Sequence, residues 1–193
     1  MNIQKIGVIG AGTMGGGIAQ VAAQSGYEVV LKDISEEYVR AGFAKIKERL
    51  VKRVGEGKLE ISEKDRILSN IKTTASPKDC KDADLIIEAV IEKEDVKKQI
   101  FEELDTICND ETVFASNTSS ISITRLAEIT KRPERFAGMH FMNPAYTMKL
   151  VEVVKGMHTS DETVNIITAV AEIMGKIPVV VNDFPGFVSN RVL

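Results

Sequence analysis

The sequence has few cysteines, little net charge and no long apolar run. Its 193 residues carry a formal net charge of -3, so bulk electrostatics attracts neither nucleic acid nor an anionic membrane. No stretch approaches the roughly 18 apolar residues of a spanning helix. The N-terminus runs into a strand pattern without the small-residue cleavage site of a signal peptide. We therefore expect a cytoplasmic protein without membrane or nucleic-acid partners.

The two cysteines, Cys80 and Cys108, are far apart in the sequence. They lack CxxC spacing, and no cluster of histidines accompanies them. Neither a zinc site nor a disulfide framework is indicated, so we expect two reduced thiols and no bound metal.

Short β-branched runs alternate with longer segments of helical period, which is typical of βαβ units. With 44% hydrophobic residues, the chain can bury one sizeable core. The pattern predicts an α/β fold with a doubly wound, mostly parallel sheet. The expected strands are 5–9, 28–32, 85–89, 113–116, 135–139, 150–154 and 177–181. The expected helices are about 14–25, 36–54, 94–107, 122–129 and 161–174.

Residues 36–70, after the second strand, are longer than a usual crossover helix. Phe43, Ile46, Leu50 and Val54 recur at steps of three and four, which predicts one apolar helical face. Basic residues follow the same spacing on another face, namely Lys45, Arg49 and Lys52. This segment is interpreted as a helical hairpin with a basic side.

A Gly-x-Gly-x-x-Gly pattern directly follows the first strand and opens the first helix. Gly10 permits the tight turn, Gly12 lets the backbone approach a pyrophosphate, and Gly15 allows close helix packing. The helix N-terminus offers free N–H groups to the anion. The context predicts a Rossmann-type dinucleotide site that includes Met14, against the alternative of a glycine-rich turn without a ligand.

Asp33 ends the second strand about 20 residues beyond the glycines. A carboxylate there can accept hydrogen bonds from the adenosine ribose, and it would repel a 2′-phosphate. The residue therefore favours NAD over NADP, although Lys32 stands beside it. The alternative is an exposed acid at a strand end.

A nicotinamide dehydrogenase acting on an alcohol needs a base that titrates near neutral pH, and histidine is the usual choice. His158 lies between a strand and a helix, where a surface position is expected. His140 closes the strand 135–139 at the carboxyl edge of the sheet, where ligands bind in this architecture. His140 is thus the candidate base.

Glu152 interrupts the apolar strand 150–154. An acid in such a place is costly unless it has a partner. A carboxylate that holds the second nitrogen of His140 would fix its tautomer and stabilise the imidazolium. The alternative is an edge strand whose Glu152 faces solvent.

Four motifs together resemble the 3-hydroxyacyl-CoA dehydrogenase family. They are Ser116-Asn-Thr-Ser-Ser120, His140-Phe-Met-Asn-Pro144, Met148-Lys-Leu-Val-Glu-Val and Asp183-Phe-Pro-Gly-Phe-Val-Ser-Asn-Arg. The resemblance covers the whole chain and implies NAD-dependent interconversion of L-3-hydroxyacyl-CoA and 3-oxoacyl-CoA, with 3-hydroxybutyryl-CoA as the expected substrate.

The resemblance also implies roles for single residues. His140 matches the catalytic base and Glu152 its partner, while Ser119 and Asn190 match the residues that bind the reacting oxygen. The positions that match the lining of the nicotinamide half of the cofactor site are Glu92, Lys97, Asn117 and Asn143. Taken alone, Lys97 is an ordinary surface lysine and Asn117 an ordinary turn residue.

Lys52 is the candidate contact to the phosphates of coenzyme A, against the alternative of a solvated helix face. Two other functions stay open: an NAD-binding regulatory module without turnover, and a dehydrogenase of a free hydroxy acid or a sugar nucleotide, which would need an arginine for its carboxylate or phosphate.

The C-terminus reads as a helix start at Asp183, with an apolar pattern that stops at Leu193. A helix of about two turns is marginal alone. We expect residues 1–183 to form the NAD-binding domain and 184–193 to begin a truncated helical domain, through which the longer protein would form a homodimer or a higher oligomer.

Overall fold

The computed structural model describes residues 2–188 as an eight-stranded sheet with helices on both faces. Its strands are β1 (Lys5–Ile9), β2 (Glu28–Lys32), β3 (Ile71–Thr74), β4 (Leu85–Glu88), β5 (Val113–Ser116), β6 (Phe136–Phe141), β7 (Leu150–Lys155) and β8 (Ile177–Asn182). Its helices are α1 (Thr13–Gln24), α2 (Glu36–Gly55), α3 (Ile61–Ser69), α4 (Glu94–Ile107), α5 (Ile123–Ala127) and α6 (Asp161–Ile173).

The strand order is β3-β2-β1-β4-β5-β6-β7-β8, and every neighbouring pair is parallel except β6 with β7. The doubly wound, mostly parallel Rossmann-type sheet is therefore confirmed. The chain order reverses between β1 and β4, and ligands bind at such a switch point, beyond the carboxyl ends of the strands.

The central strands form where β-branched and aliphatic residues are buried on both faces, as a parallel sheet between helices requires. The edge strand β8 leaves Ile177, Val179 and Val180 exposed. One hydrophobic core lies under α1, α2, α3 and α6, and a second lies under α4 and α5. Local signals set the ends of α6: the Ser160 hydroxyl accepts a hydrogen bond from the Thr163 N–H (3.1 Å), and Gly175 follows the helix with a φ of 70°.

Two strand predictions were incomplete. β3 was not predicted, because its edge sequence is short and carries the exposed Lys72. The strand expected at 135–139 begins and ends later: Arg135 belongs to a 3₁₀ turn, and His140 lies inside β6 rather than after it.

The predicted helical hairpin corresponds to α2 and α3. Ile46 and Leu50 are fully buried, as the apolar periodicity indicated. Arg49 is half-buried: its guanidinium donates to Gln20 Oε1 (2.8 Å) and stacks over the Tyr146 ring. It still lines one hollow together with Lys45 and Lys52, so the predicted basic side is present. Lys45 and Lys52 remain exposed.

Residues 184–188 do not begin the helix that the sequence suggested at Asp183. They form a turn, with positive φ at Gly186 (77°) and Phe187 (50°), and the Phe187 side chain is buried in the second core. Positions 189–193 lie outside the described residues, so the start of a second domain stays a prediction.

Cys80 and Cys108 are both buried and free. Burial raises the pKa of Cys80 to about 11 and that of Cys108 to about 12, so both thiols stay protonated near neutral pH. Across residues 2–188, none of the helices is both long and apolar enough to cross a bilayer.

Candidate active site

A groove runs along the carboxyl ends of the central strands and joins two hollows. Met14, Ala89 and Val90 line both hollows, so the two lie next to each other. The first hollow extends to the glycine turn and Asp33. The second extends to the candidate base, and its remaining lining residues are Glu92, Asn117, Ser119, His140, Phe141, Met142 and Asn143.

The glycine turn has the backbone geometry that a pyrophosphate site needs. Gly10 has a φ of 102°, which side-chain-bearing residues rarely adopt. A Cβ on Gly15 would lie 1.8 Å from the Gly10 carbonyl oxygen, whereas a Cβ on Gly12 would meet no atom within 4 Å. The turn is thus packed tightly on its inner side and open at Gly12, where α1 begins with free N–H groups.

Asp33 lines the same hollow and also fixes the turn. Its Oδ2 accepts a hydrogen bond from the Ala11 N–H (2.6 Å), and its Oδ1 accepts one from the Ile34 N–H (2.7 Å). Each carboxylate oxygen keeps a second lone pair for a ribose hydroxyl. Ile34 and Ile91 are 76% and 60% exposed and give this end of the groove apolar walls suited to a planar base.

His140 and Glu152 face each other directly across the antiparallel pair β6 and β7. His140 Nδ1 lies 2.8 Å from Glu152 Oε2, and the two residues are 8% and 2% exposed. The Val188 N–H donates to Glu152 Oε1 (3.1 Å), and the Phe187 ring packs 5.8 Å from the imidazole. The solvent-facing alternative for Glu152 is wrong, because β8 covers β7 and forms the edge.

This arrangement fixes what the imidazole can do. With Nδ1 engaged by the carboxylate, the ring can exchange a proton with a ligand only through Nε2. Through the same contact Glu152 fixes the orientation of the ring. The pair therefore has the chemistry of a general acid–base group.

Ser119 stands on the loop after β5, which Glu92 holds in place. Glu92 Oε1 accepts hydrogen bonds from the Ser119 N–H (2.8 Å), the Ser120 N–H (3.2 Å) and the Thr118 hydroxyl (2.5 Å). Burial alone would raise the pKa of Glu92, but these donors and the Lys97 ammonium outweigh it and lower the pKa. The cavity beside His140 thus has an ionised carboxylate in its wall.

Lys97 is buried next to Glu92 rather than exposed on the helix surface, as its local sequence alone suggested. It is 1% exposed, does not line the cavity, and places its ammonium 2.7 Å from Glu88 Oε1 and 3.2 Å from Glu92 Oε2. The surface-lysine alternative is wrong. Glu88 was missed as well, although an acid that ends the buried run Leu85-Ile-Ile-Glu88 could have drawn attention to it.

Two of the three asparagines predicted at the site, Asn117 and Asn143, lie among the described residues. Asn117 lines the cavity, and its Oδ1 accepts a hydrogen bond from the Phe141 N–H (2.9 Å), which ties the end of β5 to that of β6. Asn143 lines the cavity from the loop after β6. Lys176, unforeseen, holds that loop through the carbonyls of Ala145 (2.5 Å) and Met148 (2.8 Å). Asn190 lies outside the described residues.

A separate basic hollow lies beside the glycine turn. Lys45 and Lys52 of α2 line it together with Gly12 and Tyr146. The helix packs closely on the turn, because a Cβ on Gly42 would lie 2.3 Å from the Ala11 carbonyl oxygen.

The other histidine, His158, is exposed on the surface, as expected, and lies 3.6 Å from Glu128.

Comparisons with known proteins agree with this geometry. Residues 5–184 match the family described as 3-hydroxyacyl-CoA dehydrogenase, NAD binding domain. A probable 3-hydroxybutyryl-CoA dehydrogenase of Deinococcus radiodurans is 51% identical over 189 residues, which cover 98% of this chain and 68% of that protein. A fatty acid oxidation complex subunit alpha of Psychrobacter arcticus is 46% identical over 99% of this chain and 27% of that protein.

Solved structures give the same result. The crystal structure of (S)-3-hydroxybutyryl-CoA dehydrogenase from Ralstonia eutropha superposes with a TM-score of 0.97 at 44% identity, covering 99% of this chain and 68% of that one. The fold, the groove and the sequence relationship thus agree, and the chain belongs to the 3-hydroxyacyl-CoA dehydrogenases and carries the NAD-binding domain of that family.

Proposed function

We propose that the groove binds NAD from Asp33 to His140, and that the chain interconverts L-3-hydroxyacyl-CoA and 3-oxoacyl-CoA at the His140 end. The observation that carries this proposal is the buried His140–Glu152 pair, 2.8 Å apart, beside a cavity that adjoins the glycine-turn hollow. When bound, NAD supplies the hydride acceptor.

In the oxidative direction, His140 Nε2 takes the proton of the substrate hydroxyl while its Nδ1 stays bonded to Glu152. The Glu152 carboxylate stabilises the imidazolium that forms. In the reductive direction the imidazolium returns the proton to the carbonyl oxygen. Ser119 lines the same cavity, and its hydroxyl, which donates to Glu92 Oε1 (3.3 Å) in the structure, turns to donate to the reacting oxygen when substrate binds. Asn190 is proposed for the same role.

The cofactor contacts follow the groove. Gly10, Gly12, Met14 and Gly15 surround the pyrophosphate, and Asp33 accepts the ribose hydroxyls. Glu92, Asn117 and Asn143 line the nicotinamide end, as the cavity lining supports. Lys97 does not line the nicotinamide end itself but holds Glu92, with which its ammonium forms an ion pair.

The coenzyme A phosphates are proposed to contact Lys52 in the basic hollow.

The identity of 47% to 51% with relatives named as 3-hydroxybutyryl-CoA dehydrogenases supports a short acyl chain. Among the described residues, those lining the cavity beside His140 include no arginine for a free carboxylate. We also propose a cytoplasmic location and a homo-oligomeric assembly.

Oxidation of NADH by acetoacetyl-CoA, compared with free acetoacetate, tests the proposed substrate class. We expect acetoacetyl-CoA to react with a kcat/KM at least about 100-fold higher, because about 3 kcal/mol or more of remote binding energy comes from the coenzyme A part. Equal rates would contradict the coenzyme A assignment.

Lys52→Glu tests the phosphate contact. The KM for acetoacetyl-CoA should rise about three- to tenfold at low salt and less at high salt, because an exposed charge is screened. The affinity for NADH should not change. Lys47→Glu, an exposed position on the same helix outside the hollow, is the matched control, and an equal effect there would refute a specific contact.

A further inference from the structure

Glu88 is a buried carboxylate that the proposed proton and hydride transfers do not use. It ends β4 and is 0% exposed. Its Oε1 accepts hydrogen bonds from the Val90 N–H (2.7 Å) and the Lys97 ammonium (2.7 Å), and its Oε2 accepts one from the Ser116 hydroxyl (2.6 Å). All three partners of this carboxylate are therefore hydrogen-bond donors.

Lys97 connects this buried carboxylate to the cavity. Its ammonium lies between Glu88 and Glu92. The other partners of Glu92 are the Thr118 hydroxyl and the hydroxyl and N–H groups of Ser119 and Ser120. Two carboxylates and one ammonium give the cluster a net charge of about -1. Without Glu88, the ammonium would neutralise Glu92, the only member that lines the cavity.

We propose that Glu88 sets the relative affinity for oxidised and reduced cofactor by keeping the Glu88–Lys97–Glu92 cluster negative beside the nicotinamide end. The nicotinamide ring is cationic in NAD⁺ and neutral in NADH, so a negative wall favours NAD⁺. Glu88 does not touch the cofactor and is a positioning residue. The inference rests on the proposed placement of the nicotinamide end beside Glu92.

Glu88→Gln removes one charge with little change of shape. The glutamine Oε1 can still accept from Val90 and Lys97, and its amide can donate to the Ser116 oxygen. The ratio of the NAD⁺ and NADH dissociation constants should rise about four- to fifteenfold, the order expected for removing one buried unit charge that does not touch the cofactor. NADH is titrated by fluorescence, and NAD⁺ by displacement, without substrate.

A double variant separates charge from structure. Glu88→Gln with Lys97→Met leaves Glu92 as the single charge, so the cluster is again negative. The ratio should return to the wild-type value or favour NAD⁺ further. Glu102→Gln, which removes an exposed carboxylate from the same helix α4, should leave the ratio unchanged because water screens it.

A folded Glu88→Gln protein whose ratio stays within about twofold of wild type would overturn the proposal. Should the single variant not fold, the double variant is compared with Lys97→Met alone, which keeps both carboxylates. The two ratios should differ about four- to fifteenfold, and equal ratios would overturn the proposal. Glu92→Gln tests the placement itself. If it leaves the ratio unchanged, the nicotinamide end lies elsewhere, whereas a shift there without a shift in Glu88→Gln refutes only the role of Glu88.

Discussion

The neighbouring glycines Gly15 and Gly16 provide a matched test of the cofactor groove. Both lie in the first turns of α1, but a Cβ on Gly15 would meet the Gly10 carbonyl oxygen at 1.8 Å. A Cβ on Gly16 would meet its nearest neighbour, the Ala11 carbonyl oxygen, at 3.8 Å. Alanine therefore fits at Gly16 and cannot fit at Gly15 unless the turn moves by about 1.5 Å, towards ordinary van der Waals separation.

We expect Gly15→Ala to lower the free energy of unfolding by at least about 2 kcal/mol, because overpacking costs more than the roughly 1 kcal/mol gained from alanine in a helix. NADH affinity should fall about ten- to a hundredfold, as charge-assisted hydrogen bonds worth about 1.5–3 kcal/mol are lost. Gly16→Ala should keep NADH affinity and gain up to about 1 kcal/mol of stability.

NADH fluorescence titration and urea unfolding measure both quantities on the same samples. If Gly15→Ala binds NADH within about twofold of Gly16→Ala, the glycine turn is not the pyrophosphate site and the reasoning fails.

Three further predictions concern charged groups. Asp33→Arg should shift preference towards NADP, since it removes the repulsion of a 2′-phosphate; unchanged preference in binding assays would separate Asp33 from the ribose. Glu152→Gln should lower kcat about 10³-fold, because charges about 4 Å apart interact by about 4 kcal/mol at an effective dielectric constant of 20; turnover within about threefold of wild type would contradict this. Burial alone would raise the pKa of Asp183, but hydrogen bonds from Thr124, Ser122 and Ile123 lower it. Its contribution to stability should be complete above about pH 4 and lost as pH falls through the lowered pKa; a urea-unfolding difference from Asp183→Asn that does not shrink in acid would refute this.

Much of the fold follows from local patterns. Buried β-branched runs and helical periodicity predicted seven of the eight strands and the hairpin, because these signals depend on burial of one face or both. The pairing of His140 with Glu152 was also foreseeable as a hypothesis. An acid inside an apolar strand needs a partner, and the antiparallel register of β6 and β7 places the histidine opposite it.

The rest depends on contacts between distant segments. Lys97 has the local sequence of a surface residue, and its burial follows from Glu88 and Glu92, which approach it from the end of β4 and the following loop. Arg49 turns inward because Gln20 of α1 accepts its hydrogen bond. The turn after Asp183 depends on Val188 reaching Glu152, which no local pattern encodes.

The most direct test of the account compares the two histidines in NADH oxidation by acetoacetyl-CoA. His140→Gln should lower kcat about 10²- to 10⁴-fold, the range of general acid–base catalysis, with NADH affinity within about threefold of wild type. His158→Gln, at the exposed position, should behave as wild type. Unchanged turnover in His140→Gln, or equal losses in both variants, would contradict the assignment of His140 as the proton-transferring group.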